Sequence, residues 1–309
     1  MTPPADHPQI PSQHPPSPAG HLLLASAAAG SVEQDAIEAA RAVLAGAGPV
    51  EVVETATPHE LDAALEACGD RQLVIAGGDG SLHLAVSRLD ARGELAHRTI
   101  ALVPLGTGND LARAVGLPLE AADAARVVLT GQARPIDLLR DDAGGLVVNA
   151  VHVGVGAEAA ASAGRLKPVL GLLAYPLGAV IAGVRASGWR LRVAVDGAVL
   201  TDVHRRTLMV GVGNGRGIGG GTALLPGAEP DDGLLDVVVS YATGPLARVR
   251  YGSALRKGEH LADRDVRSAR GRTVTVTGES VGINADGELG EQTTARTWTV
   301  DPGAWTLIR

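Results

Sequence analysis

The sequence has a single cysteine, Cys68, and no phenylalanine, and aromatic residues make up only 2% of its 309 residues. One cysteine cannot form an intrachain disulfide or supply a zinc site built from several thiolates, and its scarcity fits a cytosolic protein. The shortage of aromatic rings argues against the stacking platforms that bind single-stranded nucleic acid. These shortages exclude two large classes of protein before any motif is considered.

Positive charge is also scarce, because 27 Lys and Arg residues face 34 Asp and Glu residues, for a formal net charge of −7. A general nucleic-acid binder needs clustered positive charge, so we exclude that class. One uncharged stretch, Pro168–Val184, has 17 residues and contains Pro176 and three glycines. A membrane-spanning helix needs about 20 apolar residues. We therefore predict no transmembrane segment and interpret this stretch as a buried or substrate-facing helix, kinked near Pro176.

The sequence divides into three regions. Residues 1–20 are rich in proline and lack the basic and apolar segments of a secretory signal, which predicts a disordered tail. Over residues 21–135 short apolar runs alternate with helical spacing, which predicts a three-layer, Rossmann-like α/β domain with a mostly parallel sheet. Residues 136–309 contain mainly strand patterns and turn signals such as Asp286-Gly287, which predict an antiparallel β-sandwich or barrel-like domain. We leave open that the last few residues return to the first domain.

A first glycine cluster, Gly77-Gly78-Asp79-Gly80-Ser81, follows the predicted third strand and precedes a helical pattern. Glycines permit a tight turn whose N–H groups face one concavity, and the helix N-terminus adds partial positive charge. This pattern predicts a phosphate cradle, in which Asp79 suits a Mg²⁺ ligand or a base for a hydroxyl group. An ordinary turn with Asp79 as a helix cap stays open.

A second glycine cluster, Gly106-Thr107-Gly108-Asn109, follows the predicted fourth strand, and Asp110 opens the next helix. Helix capping by Asn109 or Asp110 is the alternative to a binding role. Ligands of parallel sheets bind beyond the carboxyl ends of the strands, where both clusters lie. We therefore expect the active site at this edge, in the cleft between the two domains.

The ordered motifs resemble the diacylglycerol kinase catalytic family, which includes sphingosine and ceramide kinases and soluble bacterial lipid kinases and is related to NAD kinases. The resemblance rests on GGDGS at 77–81, PLGTGNDLARAVGLP at 104–118 and further blocks at 212–221, 226–237, 258–260 and 284–288. It implies an ATP- and Mg²⁺-dependent kinase that transfers the γ-phosphoryl group to a lipid hydroxyl, with diacylglycerol, giving phosphatidic acid, as the first candidate.

The resemblance also implies roles for particular residues. The implied general base is Glu288, with Asp79 as the second candidate. The implied nucleotide-binding positions are Gly77, Gly78, Gly80, Ser81, Gly106, Thr107, Gly108 and Asn109. The implied metal ligands are Asp79, Asp110, Asp137, Asp232 and the Leu234 carbonyl.

The same resemblance implies a lipid substrate met at a membrane surface, and hence a cytoplasmic protein that associates peripherally with the inner membrane face. The basic segment Arg248–Lys257 is either a solvated helix face or a patch that attracts anionic headgroups. The protein is not expected to bind nucleic acid, and a homodimer is left open.

One departure from the family pattern keeps an alternative function open. The family's first strand ends in Asn-Pro-x-Ser/Ala-Gly, whereas this chain has Ser26-Ala27-Ala28-Ala29-Gly30. The alternative is therefore a non-catalytic or weakly active relative that binds nucleotide or lipid. An NAD kinase-like enzyme is a further option, although the GTGND block favours lipid kinases. The dinucleotide-like text at Gly215–Gly220 and the hydrolase-like text at Gly278–Gly282 lack the helix that either motif requires.

Overall fold

The computed structural model describes residues 19–155, Ala157 and residues 187–309. The predicted helix at Pro168–Val184 and all but the last two residues of the predicted tail lie outside the described residues. Helices in the described part are α1 (Ser31–Ala45), α2 (Pro58–Ala67), α3 (Asp79–Ala91), α4 (Asp110–Ala114), α5 (Ala121–Thr130) and α6 (Pro245–Lys257). Short 3₁₀ turns occupy Leu95–His97 and His260–Ala262.

Strands in the described part are β1 (His21–Ser26), β2 (Val50–Thr55), β3 (Gln72–Gly77), β4 (Thr99–Pro104), β5 (Ala133–Asp141), β6 (Leu146–Val147), β7 (Ala150–Gly154), β8 (Trp189–Val195), β9 (Ala198–Thr201), β10 (Arg206–Thr207), β11 (Met209–Gly213), β12 (Leu235–Ser240), β13 (Val266–Gly271), β14 (Thr273–Val281), β15 (Ile283–Ala285), β16 (Glu288–Leu289) and β17 (Thr293–Ile308).

Strands β2, β1, β3 and β4 lie side by side in that order and are all parallel. Alternate residues of each strand enter two separate cores, as a sheet buried on both faces requires. On β1, Leu22 and Leu24 pack with residues of α2 and α3, whereas Leu23 and Ala25 pack with residues of α1 and α5. The predicted three-layer α/β arrangement is confirmed.

The C-terminal half is built from antiparallel strands. A six-stranded sheet has the order β13-β12-β11-β7-β15-β16. Its inner face packs on β8, β14 and β17 through buried aliphatic side chains and Trp298. Its outer face is covered by α6, which buries Tyr251 against Met209. The predicted β-sandwich is confirmed, and the barrel-like alternative is not.

Two tight turns show how local sequence fixes the hairpins. Asp196 and Asp286 both have φ of 48°, and the glycine after each also has a positive φ. Two successive residues at positive φ form the turn that best matches the twist of paired strands, and Asp-Gly is suited to it. Asp196-Gly197 joins β8 to β9, and Asp286-Gly287 joins β15 to β16.

The long strand β17 joins the two halves. It pairs antiparallel with β14 and β5, and Thr306 and Leu307 near its end pair in parallel with β4. We call β1–β4 with α1–α5 the first lobe and β6–β16 with α6 the second lobe, linked by β5 and β17. The predicted boundary between residues 135 and 136 falls inside β5, and where the domains divide stays a prediction.

Candidate active site

The two glycine clusters form loops that touch at the carboxyl ends of β3 and β4. A Cβ atom placed on Gly106 would lie 2.6 Å from the Gly78 Cα, and one on Gly78 would lie 2.9 Å from the Gly106 Cα. The Leu105 N–H donates to the Gly77 carbonyl at 3.0 Å. Because no side chain fits between the loops, both stretches of backbone face the same small region.

Asp79 connects the first loop to the second. Its Oδ2 accepts a hydrogen bond from the Asp110 N–H at 3.1 Å, and its Oδ1 accepts one from the Leu111 N–H at 3.3 Å. These N–H groups belong to the first turn of α4, where an unpaired backbone donor favours a carboxylate. Asp79 therefore opens α3 and at the same time caps α4.

Asn109 holds the second loop closed. It has φ of 52°, a left-handed conformation that asparagine tolerates better than most residues. Its side chain accepts from the Gly106 N–H at 3.0 Å and donates to the Gly106 carbonyl at 2.6 Å. The amide predicted to contact nucleotide is thus engaged inside its own loop.

Asp110 connects the second glycine loop to the second lobe. Its buried carboxylate accepts from the Gly220 N–H at 3.1 Å and the Gly221 N–H at 2.9 Å. Burial raises the pKa of Asp110, the Gly220 hydrogen bond opposes that rise, and the charge of Asp79 adds to it. The triple-glycine segment 219–221 is thereby fixed against the loop at 106–110.

Asp79 and Asp110 both border one concave position. A Cβ atom on Gly108 would lie 2.9 Å from Asp79 Oδ2, 3.5 Å from Asp110 Oδ2 and 3.6 Å from the Gly220 nitrogen. In the part of the chain that the structure describes, no group of three or more His, Cys, Asp or Glu side chains could hold a metal ion. Mg²⁺ is commonly bound by only one or two carboxylates together with substrate phosphates. The pair beside Gly108 fits that mode of binding.

The other predicted metal ligands have different hydrogen-bond partners from Asp79 and Asp110. Asp137, on β5, accepts from the Gly233 N–H at 2.7 Å and the Gly303 N–H at 2.8 Å, and burial raises its pKa. Asp232 accepts from the Leu234 N–H at 3.0 Å and forms an ion pair with Arg270. The negative charge of Asp232 is therefore already matched by a guanidinium, and a metal role for Asp137, Asp232 and Leu234 stays a prediction.

The turn between β15 and β16 brings two acids to the first lobe. The buried Asp286 carboxylate accepts from the N–H groups of Val148, Asn149 and Ala150 at 2.6, 2.9 and 3.1 Å. His83 Nδ1, on α3, lies 2.8 Å from Asp286 Oδ2. Glu288, two residues further on, is exposed, and its carboxylate accepts no hydrogen bond from any described residue.

His83 and Asp286 are the site residues that the sequence did not reveal. On sequence alone His83 is an ordinary packed or surface histidine. Its position four residues after Asp79 was the available signal, because that spacing places both side chains on the same face of α3. Its partner is 203 residues away in the chain, so no local pattern could have identified it.

The turn after β1 differs in character from the two glycine loops. Gly30 precedes α1, and its N–H donates to the carboxylate of Glu33 at 3.0 Å. The Ala28 N–H donates to the Ser26 hydroxyl at 3.2 Å. The Glu33 carboxylate, in the first turn of α1, therefore accepts a hydrogen bond from an N–H group that could otherwise bind an anion.

No helix within residues 19–155 or 187–309 is both long and apolar enough to cross a membrane.

Comparisons with known proteins match both halves of the chain. The model of the diacylglycerol kinase catalytic domain matches residues 21–140, and that of the YegS C-terminal NAD kinase beta sandwich-like domain matches residues 149–309. A "probable lipid kinase YegS-like" of Pseudomonas aeruginosa is 38% identical over 241 residues, covering 77% of this chain and 76% of that protein. One from Stenotrophomonas maltophilia is 38% identical over 232 residues, covering 68% and 72%.

A solved structure shares the fold. The crystal structure of a diacylglycerol kinase from Bacillus anthracis superposes with a TM-score of 0.73 at 22% identity, covering 94% of this chain and 96% of that one. Yeast NADH kinase aligns with a TM-score of 0.50 at 10% identity, covering 94% of this chain and 83% of the other. At these identities the likeness concerns the fold alone.

Proposed function

The chain belongs to the diacylglycerol kinase family of lipid kinases and is a phosphotransferase with an alcohol acceptor, and on this basis we propose that ATP is its phosphoryl donor, Mg²⁺ its metal ion and diacylglycerol its acceptor. The P–O bond between the γ-phosphorus and the β–γ bridging oxygen of ATP breaks, and a bond forms to the lipid hydroxyl oxygen. The products are ADP and phosphatidic acid.

The observation that carries the proposal is the contact between the loops at 77–81 and 106–110. Phosphoryl transfer depends mainly on positioning and on stabilisation of charge. The contact places the N-terminal turns of α3 and α4 beside a position bordered by Asp79 and Asp110. We assign the ATP phosphates to the backbone of Gly77–Ser81 and Gly106–Asn109. Asp79 and Asp110 would hold Mg²⁺, which neutralises phosphate charge when bound.

Glu288 is the better of the two candidates for the general base. Both Asp79 oxygens accept backbone hydrogen bonds from the first turn of α4, so this carboxylate already holds the two loops together. Glu288 is exposed beside the tip of the β15–β16 hairpin, and its carboxylate makes no hydrogen bond with a described residue. Glu288 therefore takes the proton of the lipid hydroxyl as that oxygen attacks.

The test is ATP turnover with vesicles containing diacylglycerol, other lipids with free hydroxyl groups, or NAD as the alternative acceptor. Glu288→Gln should lower kcat by about 10²–10⁴-fold with little change in the KM for ATP, as expected for loss of a general base. Asp79→Asn should raise the KM for ATP as well, because it loosens α4 and removes a metal ligand. Glu291→Gln, an exposed acid just after β16, is the matched control.

A non-catalytic relative is the second candidate, and the turn at Ser26–Gly30 favours it. The Glu33 carboxylate accepts a hydrogen bond from the Gly30 N–H and places negative charge where α1 begins. Calorimetric titration with ATP and Mg²⁺ separates the two candidates. ATP binding without turnover on any acceptor would support the non-catalytic relative and refute the kinase assignment.

We further assign one face of α6 to an anionic membrane surface, from which the lipid is drawn. Leu246 and Val249 are 86% and 73% exposed. At 100° per residue they share roughly a third of the circumference with the exposed Arg256 and Lys257. Arg250 lies on the same face, but its charge is already paired with Asp263 and Asp265. The helix contains no acidic residue. Aliphatic side chains beside cations suit the interface of a bilayer that contains anionic lipids.

Vesicle flotation tests the α6 surface independently of catalysis. Leu246→Asp with Val249→Asp should abolish binding to phosphatidylglycerol vesicles, and binding should fall with salt. Val32→Asp, at an aliphatic position that is 81% exposed on α1, is the matched control and should bind normally. Equal binding by both variants would remove α6 from the membrane contact.

A further inference from the structure

His83 is placed between the first lobe and the turn that carries Glu288. It lies one helical turn after Asp79 on α3, and its side chain is 16% exposed. Its Nδ1 is 2.8 Å from Asp286 Oδ2, and the Asp286 side chain is 3% exposed. The His83 side chain therefore connects α3, the helix that begins in the loop at 77–81, directly with the β15–β16 hairpin.

Asp286 cannot turn away from His83 without losing other bonds. Three consecutive N–H groups, from Val148 to Ala150, donate to its two oxygens. The same turn places Glu288 opposite Ala285 in the β15–β16 ladder. Because the turn has only two residues between the paired positions, any restraint on Asp286 also restrains the backbone of Glu288.

We propose that His83 is a positioning residue whose imidazolium form, held by Asp286, docks the β15–β16 turn on α3 and so places Glu288 relative to the loop at 77–81. This inference rests on the proposed function, since it gives His83 a role only if Glu288 acts in phosphoryl transfer. His83 itself does not exchange a proton with substrate.

The charges around His83 support an imidazolium ion. Burial lowers the pKa of His83, but the hydrogen bond to Asp286 and the charges of Asp286 and Glu288 outweigh it, so the pKa is raised above 6.5. On α3 itself, the Asp79 carboxylate bonds to α4. Arg88 pairs with Asp62, and Asp90 pairs with Arg140. The facing backbone at 148–150 contributes no ionisable side chain.

The sign of the resulting pH dependence follows from the raised pKa. A histidine that binds its proton more tightly in the folded state stabilises that state fully below its unfolded pKa of about 6.5. That contribution is lost as the pH rises through the higher folded value. The docking of the turn should therefore weaken as the pH rises above about 6.5.

The first experiment compares urea unfolding of the wild type, His83→Asn and His83→Leu between pH 6 and 9. Asparagine can keep a donor near the Nδ1 position but cannot carry charge. The wild type should lose stability relative to His83→Asn as the pH rises, and His83→Leu should be less stable than both at pH 6. His97→Asn, at an exposed histidine, is the control and should parallel the wild type. A wild-type profile parallel to both His83 variants overturns the proposal.

The second experiment measures steady-state kinetics of lipid phosphorylation. His83→Leu should lower kcat by about 10- to 100-fold, the range expected when a catalytic group is misplaced, with the KM for ATP within about twofold. His83→Asn should recover most of the loss at pH 8. Unchanged kcat in His83→Leu overturns the positioning role while Glu288 keeps its own. An inactive wild type refutes the proposed kinase function instead, and the unfolding profiles then decide the His83–Asp286 contact alone.

Discussion

Within the described residues, two acidic contacts between the lobes are built differently. At the first contact Asp110 of the first lobe accepts only backbone N–H groups, from Gly220 and Gly221. At the second contact Asp286 accepts backbone N–H groups of its own lobe, and the bond across the boundary comes from His83. A backbone amide does not titrate near neutral pH, whereas an imidazole does. The strength of the Asp110 contact, which holds the glycine loops, therefore does not change near neutral pH, and we call it the constant contact. The strength of the Asp286–His83 contact, which holds the turn bearing Glu288, does change with pH, and we call it the adjustable contact.

The largest expected effect comes from removing the acid of the adjustable contact. In Asp286→Asn one acceptor oxygen remains for the three N–H groups, and an NH₂ group replaces the second oxygen and faces any N–H group that had donated to it. We expect a loss of about 3 kcal/mol in the free energy of unfolding at pH 6.5, because buried donors and His83 lose a charged partner. The cost should decrease at pH 8.5, where His83 carries less charge.

Asp196→Asn is the matched control for that measurement. Asp196 has the same φ of 48° and accepts from the Arg272 and Thr273 N–H groups, but it is exposed and has no histidine partner among the residues that the structure describes. Its substitution should cost about 1 kcal/mol, with no change between pH 6.5 and 8.5. Equal and pH-independent costs at Asp286 and Asp196 would contradict the distinction between the two contacts.

The elements of each contact differ in how far the sequence reveals them. Leu73–Ala76 followed by GGDGS predicts a strand, a turn and a helix, and the structure has β3 and α3 there. The hairpin at Asp286-Gly287 was also predictable, because its backbone angles follow from local sterics. Such features depend on neighbours within a few residues, which the sequence displays directly.

What the sequence did not reveal depends on distant pairings. The hydrogen-bond partners of Asp137 are one example, because its carboxylate bonds to Gly233 and Gly303. The reason is that β17 bulges beside β5 between Asp301 and Trp305, which brings Gly303 to Asp137. The register of two strands that are distant in sequence is set by the assembled sheet, and no short pattern specifies it.

A smaller effect is expected at the constant contact. Asp110→Asn keeps the Oδ1 oxygen, which accepts from both the Gly220 and the Gly221 N–H groups, but replaces Oδ2, the second acceptor of the Gly220 N–H, with an NH₂ group. We expect a loss of about 2 kcal/mol, smaller than at Asp286 because both N–H groups keep an acceptor and no histidine loses a charged partner. Urea unfolding in metal-free buffer should give the same cost at pH 6.5 and 8.5. A cost that follows the pH in the manner of Asp286 would show that both contacts respond to His83.

The smallest effect separates two neighbouring glycines of the constant contact. Gly220 has φ of +90° and Gly219 has φ of +62°. A Cβ on Gly220 would lie 3.6 Å from the Thr107 carbonyl oxygen, whereas one on Gly219 would meet nothing within 4 Å.

An alanine is strained at either position, but φ of +62° lies inside the left-handed region open to ordinary residues and +90° lies beyond it. Gly220→Ala should therefore cost about 1 kcal/mol more than Gly219→Ala in urea unfolding. Because its methyl group would also face the loop at 106–110, Gly220→Ala alone should raise the KM for ATP. Equal costs and equal KM values for the two variants would mean that segment 219–221 does not bear on the phosphate loops, and the constant contact would lose its place in the site.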